Sequence, residues 1–275
     1  MSRRTVDLAS HLNETIVEGN PAEFPVALEP VFRQRGQSFA PVPHRLAVVR
    51  TDTGETLAVV SDRYRLVSHQ EILDLILKAI EPLDVGPVPR GIYVDRRGAR
   101  MRAVFKFPAL AQEVRADDEI CPCLKVQNTY DGTSRIAVHI GAFRFVCTNL
   151  AVGGGGVFAG GFMSVHAGEI PIERVADQLS AYLKGFDEIV RLYGYWAEAP
   201  LDPNAIAEIL EALPRKPAEY LQEAMSQHRA PTAYHAYNAA TWFATHQMRS
   251  YRTAFDLLRE INRAFQTHFP LPAAV

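Results

Sequence analysis

The sequence predicts an α+β fold: an antiparallel, hairpin-rich sheet with a packed helix over residues 24–166, then a helical region over 167–275 packed on it. Three observations predict this. Short β-rich runs with two-residue alternation and Asp/Gly turns crowd the first half, and one capped helix interrupts them. After the glycine clusters Gly153–Gly156 and Gly160-Gly161, the apolar spacing changes to three and four. Residues 1–23 precede this frame as an N-terminal segment expected to be mobile.

Leu46–Arg50 and Thr56–Val60 are β-branched runs around Thr51-Asp52-Thr53-Gly54-Glu55, a hairpin on which the first helix is expected to pack. Ser68-His69-Gln70-Glu71 is a Ser-x-x-Glu capping box, and Ile72, Leu73, Ile76, Ala79 and Ile80 follow at helical spacing until Pro82. Ala99, Met101, Ala103, Phe105 and Phe107 alternate with Arg100, Arg102, Val104 and Lys106, which predicts a strand with one buried and one basic face. Leu124–Asn128 and Arg135–Val146 flank Tyr130-Asp131-Gly132-Thr133, a second hairpin and at least a fifth strand. Beyond the glycines, Pro171 opens a helix whose apolar stripe runs from Ile172 past Tyr193 for over twenty residues. Asp202-Pro203 caps a helix that stops at Pro214, and two more follow near Thr232–His246 and Ser250–His268.

A chain of 275 residues that is 48% hydrophobic supplies one large core or two modest ones. Its net charge of -2 excludes the class drawn to nucleic acid or acidic lipid by overall charge alone. The charge is unevenly placed: residues 33–144 carry 17 basic and 13 acidic groups, whereas the flanks are acidic. That asymmetry points to a surface that meets an anion. Three cysteines, Cys121, Cys123 and Cys147, cannot build a disulfide framework, and Met1-Ser2-Arg3-Arg4 leads into polar residues, so a cytoplasmic location is expected. Phe145–Val165 is long enough for a membrane span but holds six glycines, so no membrane partner is expected.

No catalytic signature is complete. The glycine clusters lack the Lys and Ser/Thr of a phosphate loop and read as a joint between sheet and helices. His69-x-Glu71 matches half of a zinc-deaminase motif, but Cys123 is followed by Val126 where a second Cys belongs, and Glu71 already serves the helix cap. Cys121, Cys123, Cys147 and His139 are the donors a zinc site would use; at these spacings packed free thiols are the better reading, and no metal or cofactor is assigned. No Gly-x-Ser-x-Gly elbow nominates a nucleophile, and no catalytic residue is assigned.

The positive signal is basic clustering. Arg90, Arg96, Arg97, Arg100, Arg102 and Lys106 face Asp95 alone, and a strand lined with such groups can track phosphates while Tyr93 stacks on a base. Arg63 and Arg65, flanking Tyr64, form a smaller set of the same kind. The competing reading is a solvated face paired with carboxylates of the helices.

Four motifs carry a resemblance. Val60–Asp74, Asn128–Ser134, Phe143–Asn149 and Asn238–His246 together resemble the phage/plasmid-related family catalogued as domain of unknown function 932. The resemblance implies carriage by a mobile element and no particular reaction. The chain lacks the Trp-His-Gly-rich opening common in relatives, which leaves residues 1–40 unassigned. Within the motifs Asp131-Gly132 makes the turn, Asn128 bridges across it, and Asp62 caps the loop before Tyr64. Arg144 interrupts an apolar strand face and so needs a carboxylate, for which Asp62 is the nominated partner. The motif site candidates are therefore Asp62, Arg63, Asn128, Asp131, Arg144 and Asn149.

The element order is also similar to the core of phage single-strand annealing proteins of the Rad-fifty-two type. The expected function is non-enzymatic nucleic-acid binding, single-stranded DNA favoured, in recombination, annealing or protection, with self-association compatible. Two alternatives stay open: a metal-dependent enzyme acting on nucleic acid or nucleotides, and a protein that engages a host factor without catalysis.

Overall fold

A computed structural model describes residues 20–95, 97–144, 150–152, 161–164, 172–248 and 251–272. The α+β expectation holds, with two antiparallel sheets in place of one. The first has the order β1 (Val26–Arg35), β2 (Ser38–Arg50), β3 (Glu55–Ser61). The predicted hairpin is the inner part of β2 with β3. Strand β1 and the outer part of β2 have no counterpart in the sequence reading, because Pro30, Pro41 and Pro43 argue against a strand. Proline is tolerated here because Pro30 lies on the edge strand β1 and Pro41 and Pro43 lie where the sheet is only two strands wide.

Helix α1 (His69–Ile80) begins where the Ser-x-x-Glu pattern predicts, with Ser68 as N-cap: its Oγ accepts the Glu71 backbone N–H at 3.0 Å. Ser68→Ala should cost about 1 kcal/mol in urea unfolding. The helix does not pack on the first hairpin. Its buried Ile72, Leu73, Ile76 and Ile80 join the core of the second sheet, while Phe24, Val48, Leu57 and Val60 of the first sheet form a small core with Ala99 and Tyr130.

The second sheet comprises β4 (Arg90–Val94), β5 (Arg100–Lys106), β6 (Gln112–Arg115), β7 (Asp118–Thr129), β8 (Ile136–Arg144), β9 (Leu150–Val152) and β10 (Gly161–Ser164). Its order is β10-β8-β7-β5-β4, with β6 pairing the start of β7 and β9 the end of β8. The two sheets meet at Gly98. Its φ of +83° suits glycine, and a Cβ there would stand 2.9 Å from the Phe24 ring.

Among the described residues six helices follow: α2 (Ile172–Lys184), α3 (Phe186–Glu198), α4 (Pro203–Ala212), α5 (Arg215–Ser226), α6 (Ala233–His246) and α7 (Tyr251–His268). The single long helix expected from Ile172 onward is broken at Gly185, which serves as the N-cap of α3. Asp202 caps α4 as expected, accepting from the backbone of Asn204 and Ala205. Helix α5 was hidden by Pro214 and Pro217, yet Pro217 stands in its first turn, where no intrahelical donor is lost. The helical core is aromatic: Trp196 packs on Tyr193, Tyr237 and Phe265 and donates its Nε1–H to Phe269 O at 2.7 Å. Among the described residues no helix is long and apolar enough to cross a membrane.

Candidate functional site

The predicted basic stripe exists in register but not as an open track. Arg100, Arg102 and Lys106 do share one face of β5. Arg100 Nε donates to Asp131 Oδ2 at 2.6 Å, and exposed Arg97 donates to Glu55 Oε1 and Thr56 O. Arg102 lies 5.9 Å from the Tyr93 ring centroid and Lys106 Nζ 3.9 Å from that of Phe143. Arg90 is exposed on edge strand β4, and Arg96 lies outside the described residues. The carboxylate partners of Arg100 and Arg97 are Asp131, in the β7–β8 turn, and Glu55, at the start of β3. On the same face, opposite Val104, is Lys125, which is buried. Opposite Lys125 is His139, stacked at 3.5 Å on Phe255 of α7, and its burial pushes the imidazole down to about 3. Helices thus cover this face over β7 and β8.

The motif residues separate into three places. Asn128 is fully buried; its Nδ2 donates to Val67 O at 3.1 Å and His69 Nδ1 at 3.0 Å, while His69 Nε2–H donates to Gly98 O at 3.0 Å. Tyr130 stacks on the His69 ring, and its hydroxyl accepts the His69 backbone N–H. This network ties α1 to the junction of the sheets. Asp131 orders its turn by accepting from Thr133, and Asp62 pairs with exposed His44 at 2.6 Å. Arg63 and Arg65 are exposed beside Asp62. Asn149 lies outside the described residues.

Arg144 does need a carboxylate, but the partner is Asp118 and not Asp62. Arg144 Nε and Nη2 grip both oxygens of Asp118 as a fork. Register explains the choice: Arg144 pairs Ile120, two residues along β7 from Asp118, so both side chains share a face. Asp117, at φ +63°, closes the tight turn that sets Arg115 of β6 opposite Asp118, and Arg115 Nε donates to the same carboxylate at 3.3 Å. Asp118 is 3% exposed, Arg144 13% and Arg115 39%.

Arg115 and Arg144 form one wall of a cavity of about 300 Å³. The other walls come from α5, the segment after it, and α6: His228, His235, Asn238 and Trp242, the last stacked on both Tyr220 and His246. The Tyr234 ring lies beneath both guanidiniums, 5.5 Å from Arg115 and 5.4 Å from Arg144. His235 is oriented by the helix start: its Nδ1 accepts the Thr232 backbone N–H at 3.2 Å, completing a capping box. Its Nε2 stands 3.5 Å from Arg115 Nη1, a group that only donates. Burial, then Arg115 and His228, hold the imidazole below its usual range, so at neutral pH it is uncharged. Two guanidiniums therefore share one carboxylate, an arrangement that leaves positive charge for an oxyanion.

Two of the four sequence motifs, those holding Arg144 and Asn238–Trp242, meet here, whereas Arg115, His228 and His235 escaped notice. A Thr-x-x-His cap lacks the usual acidic signature, and Arg115 is a lone basic residue among the carboxylates of a short strand and its turn. Cys121 and Cys123 are buried free thiols on one face of β7, raised by burial to about 11 and about 12, while Cys147 lies outside the described residues. Among the described residues no three His, Cys, Asp or Glu side chains group as metal ligands.

Fold and site define the class: an α+β protein with a cationic pocket between the sheet and the helices. More narrowly, the chain belongs to the family described as domain of unknown function (DUF932), whose model matches residues 56–270. The match begins within β3 and leaves the β1–β2 hairpin outside. No curated protein and no solved structure matches the chain.

Proposed function

We propose that this chain binds nucleic acid through phosphate, with single-stranded DNA the favoured form and the Arg115–Arg144 pocket its anchor, in recombination, annealing or protection within a mobile element. The observation that carries this reading is the shared carboxylate: Asp118 balances one of two guanidiniums, so the pocket keeps a net positive charge. A cavity of about 300 Å³ between helices and sheet suits one phosphate on a backbone that can splay. Arg63, Arg65 and Arg90 are exposed elsewhere on the chain and would serve as separate phosphate contacts.

Arg115→Ala is the direct test, because that side chain is exposed enough to remove without disturbing the core. Fluorescence anisotropy with a labelled single strand across a salt series should show about tenfold weaker binding. The log-log salt slope should become shallower by about 0.7, the value of one lost phosphate contact. Unchanged affinity and slope would sink the pocket assignment, and no binding of any oligonucleotide at low salt would sink the function.

A further inference from the structure

We infer that the outer β1–β2 ribbon is a second contact for single-stranded nucleic acid, using Phe32 and Phe39 as stacking platforms and Arg33 and Arg35 as phosphate contacts; this rests on the function proposed above. β3 pairs with β2 only from Arg45 inward, so the ribbon beyond it is two strands wide. Such a ribbon has no core of its own, yet Phe32 is 56% and Phe39 72% exposed. Register places them together: Phe32 pairs Pro41 and Gln34 pairs Phe39, so both rings stand on one face as diagonal neighbours. Their backbones are then about 7–8 Å apart, within the stride of an extended single strand.

The opposite face carries Arg33, paired with Ala40, and Arg35, paired with Ser38. From Val31 to Arg45 the chain has three arginines and no carboxylate. This charge chooses the occupant. A second copy of the ribbon would bring like charges together, and β1 is a poor template for strand pairing because Pro30 and the register shift before Phe32 interrupt its edge. A polyanion whose bases stack on phenylalanine and whose backbone crosses to arginine satisfies both faces. The ribbon lies outside residues 56–270, the part that the family model matches.

The test uses the full chain and a labelled oligothymidylate of about 20 nucleotides, longer than the site of one binding fold. The double variant Phe32→Ala, Phe39→Ala should bind at least tenfold more weakly with its salt slope retained. Arg33→Gln, Arg35→Gln should lose about 1.4 from the slope, two phosphate contacts. Both should melt at the wild-type temperature, since the replaced side chains are exposed. If the wild type binds and Arg115→Ala weakens it while both ribbon variants bind normally, the ribbon inference fails and the pocket stands. If the wild type binds no oligonucleotide, the function itself fails. If sedimentation velocity shows that the Phe variant turns an oligomer into monomers, the partner is a second copy and the inference is overturned.

Discussion

Replacing Lys125 by Met should stabilise the folded chain by about 3 kcal/mol at pH 7 and remove a rise in stability between pH 8 and 10.5. The amine is buried and its Nζ has no hydrogen-bond partner. Burial is the main cause that lowers it to about 8; Cys123 opposes this, and Lys106 and Arg102 add to it. The direction follows from proton counting. Below pH 8 the lysine is charged both folded and unfolded, and the folded state bears the whole cost of desolvating it. Between pH 8 and 10.5 the folded state has released the proton while the unfolded state still holds it, so stability climbs with pH. Met keeps the length and apolar stem and removes the charge, so its variant should be more stable at pH 7 and flat across that interval. Urea unfolding of both proteins at pH 7 and pH 10 reads the difference; equal midpoints at pH 7 would mean that the amine finds water or an anion.

Lys125 also shows where the sequence pattern stops being informative. Alternation from Ala99 to Phe107 identified β5 and its basic face, because a strand buried on one side repeats every two residues. The same alternation put Lys125 on that face of the neighbouring strand, but nothing local says that helices close over β7 and leave the amine dry. The break between α2 and α3 was illegible for a related reason: apolar spacing continues through Gly185, and only tertiary packing turns a continuous stripe into two helices. At the site, the need for a carboxylate beside Arg144 could be read from its interruption of an apolar face. The identity of that carboxylate could not, since Asp62 and Asp118 are both distant in sequence and only the β7–β8 register brings one of them near. The approach of His235 to Arg115 depends on a helix cap meeting a strand some 120 residues earlier, which no local pattern encodes.

Asp118→Asn should move stability and binding in opposite directions. In the wild type one nearly inaccessible carboxylate accepts from Arg144 through both oxygens and from Arg115 through one. The amide preserves shape but turns one acceptor into a donor and leaves the Arg144 guanidinium, 13% exposed, without its counter-charge. Breaking one side of a buried pair in this way costs about 3 kcal/mol, and thermal unfolding should report it as a clear loss. The pocket meanwhile gains a full unit of positive charge, so inorganic phosphate should bind the variant more tightly than the wild type. Ligand at 100 times its dissociation constant contributes about 2.7 kcal/mol to the folded state, nearly enough to offset the lost ion pair. The expected result is a variant that melts early in buffer and recovers most of the deficit as phosphate is added, with a smaller phosphate response in the wild type. An equal response in both proteins would assign the two arginines to holding β6, β7 and β8 together and to nothing beyond that. A larger response in the variant follows only if phosphate reaches the two guanidiniums from the cavity, where the neutral amide no longer offsets their charge.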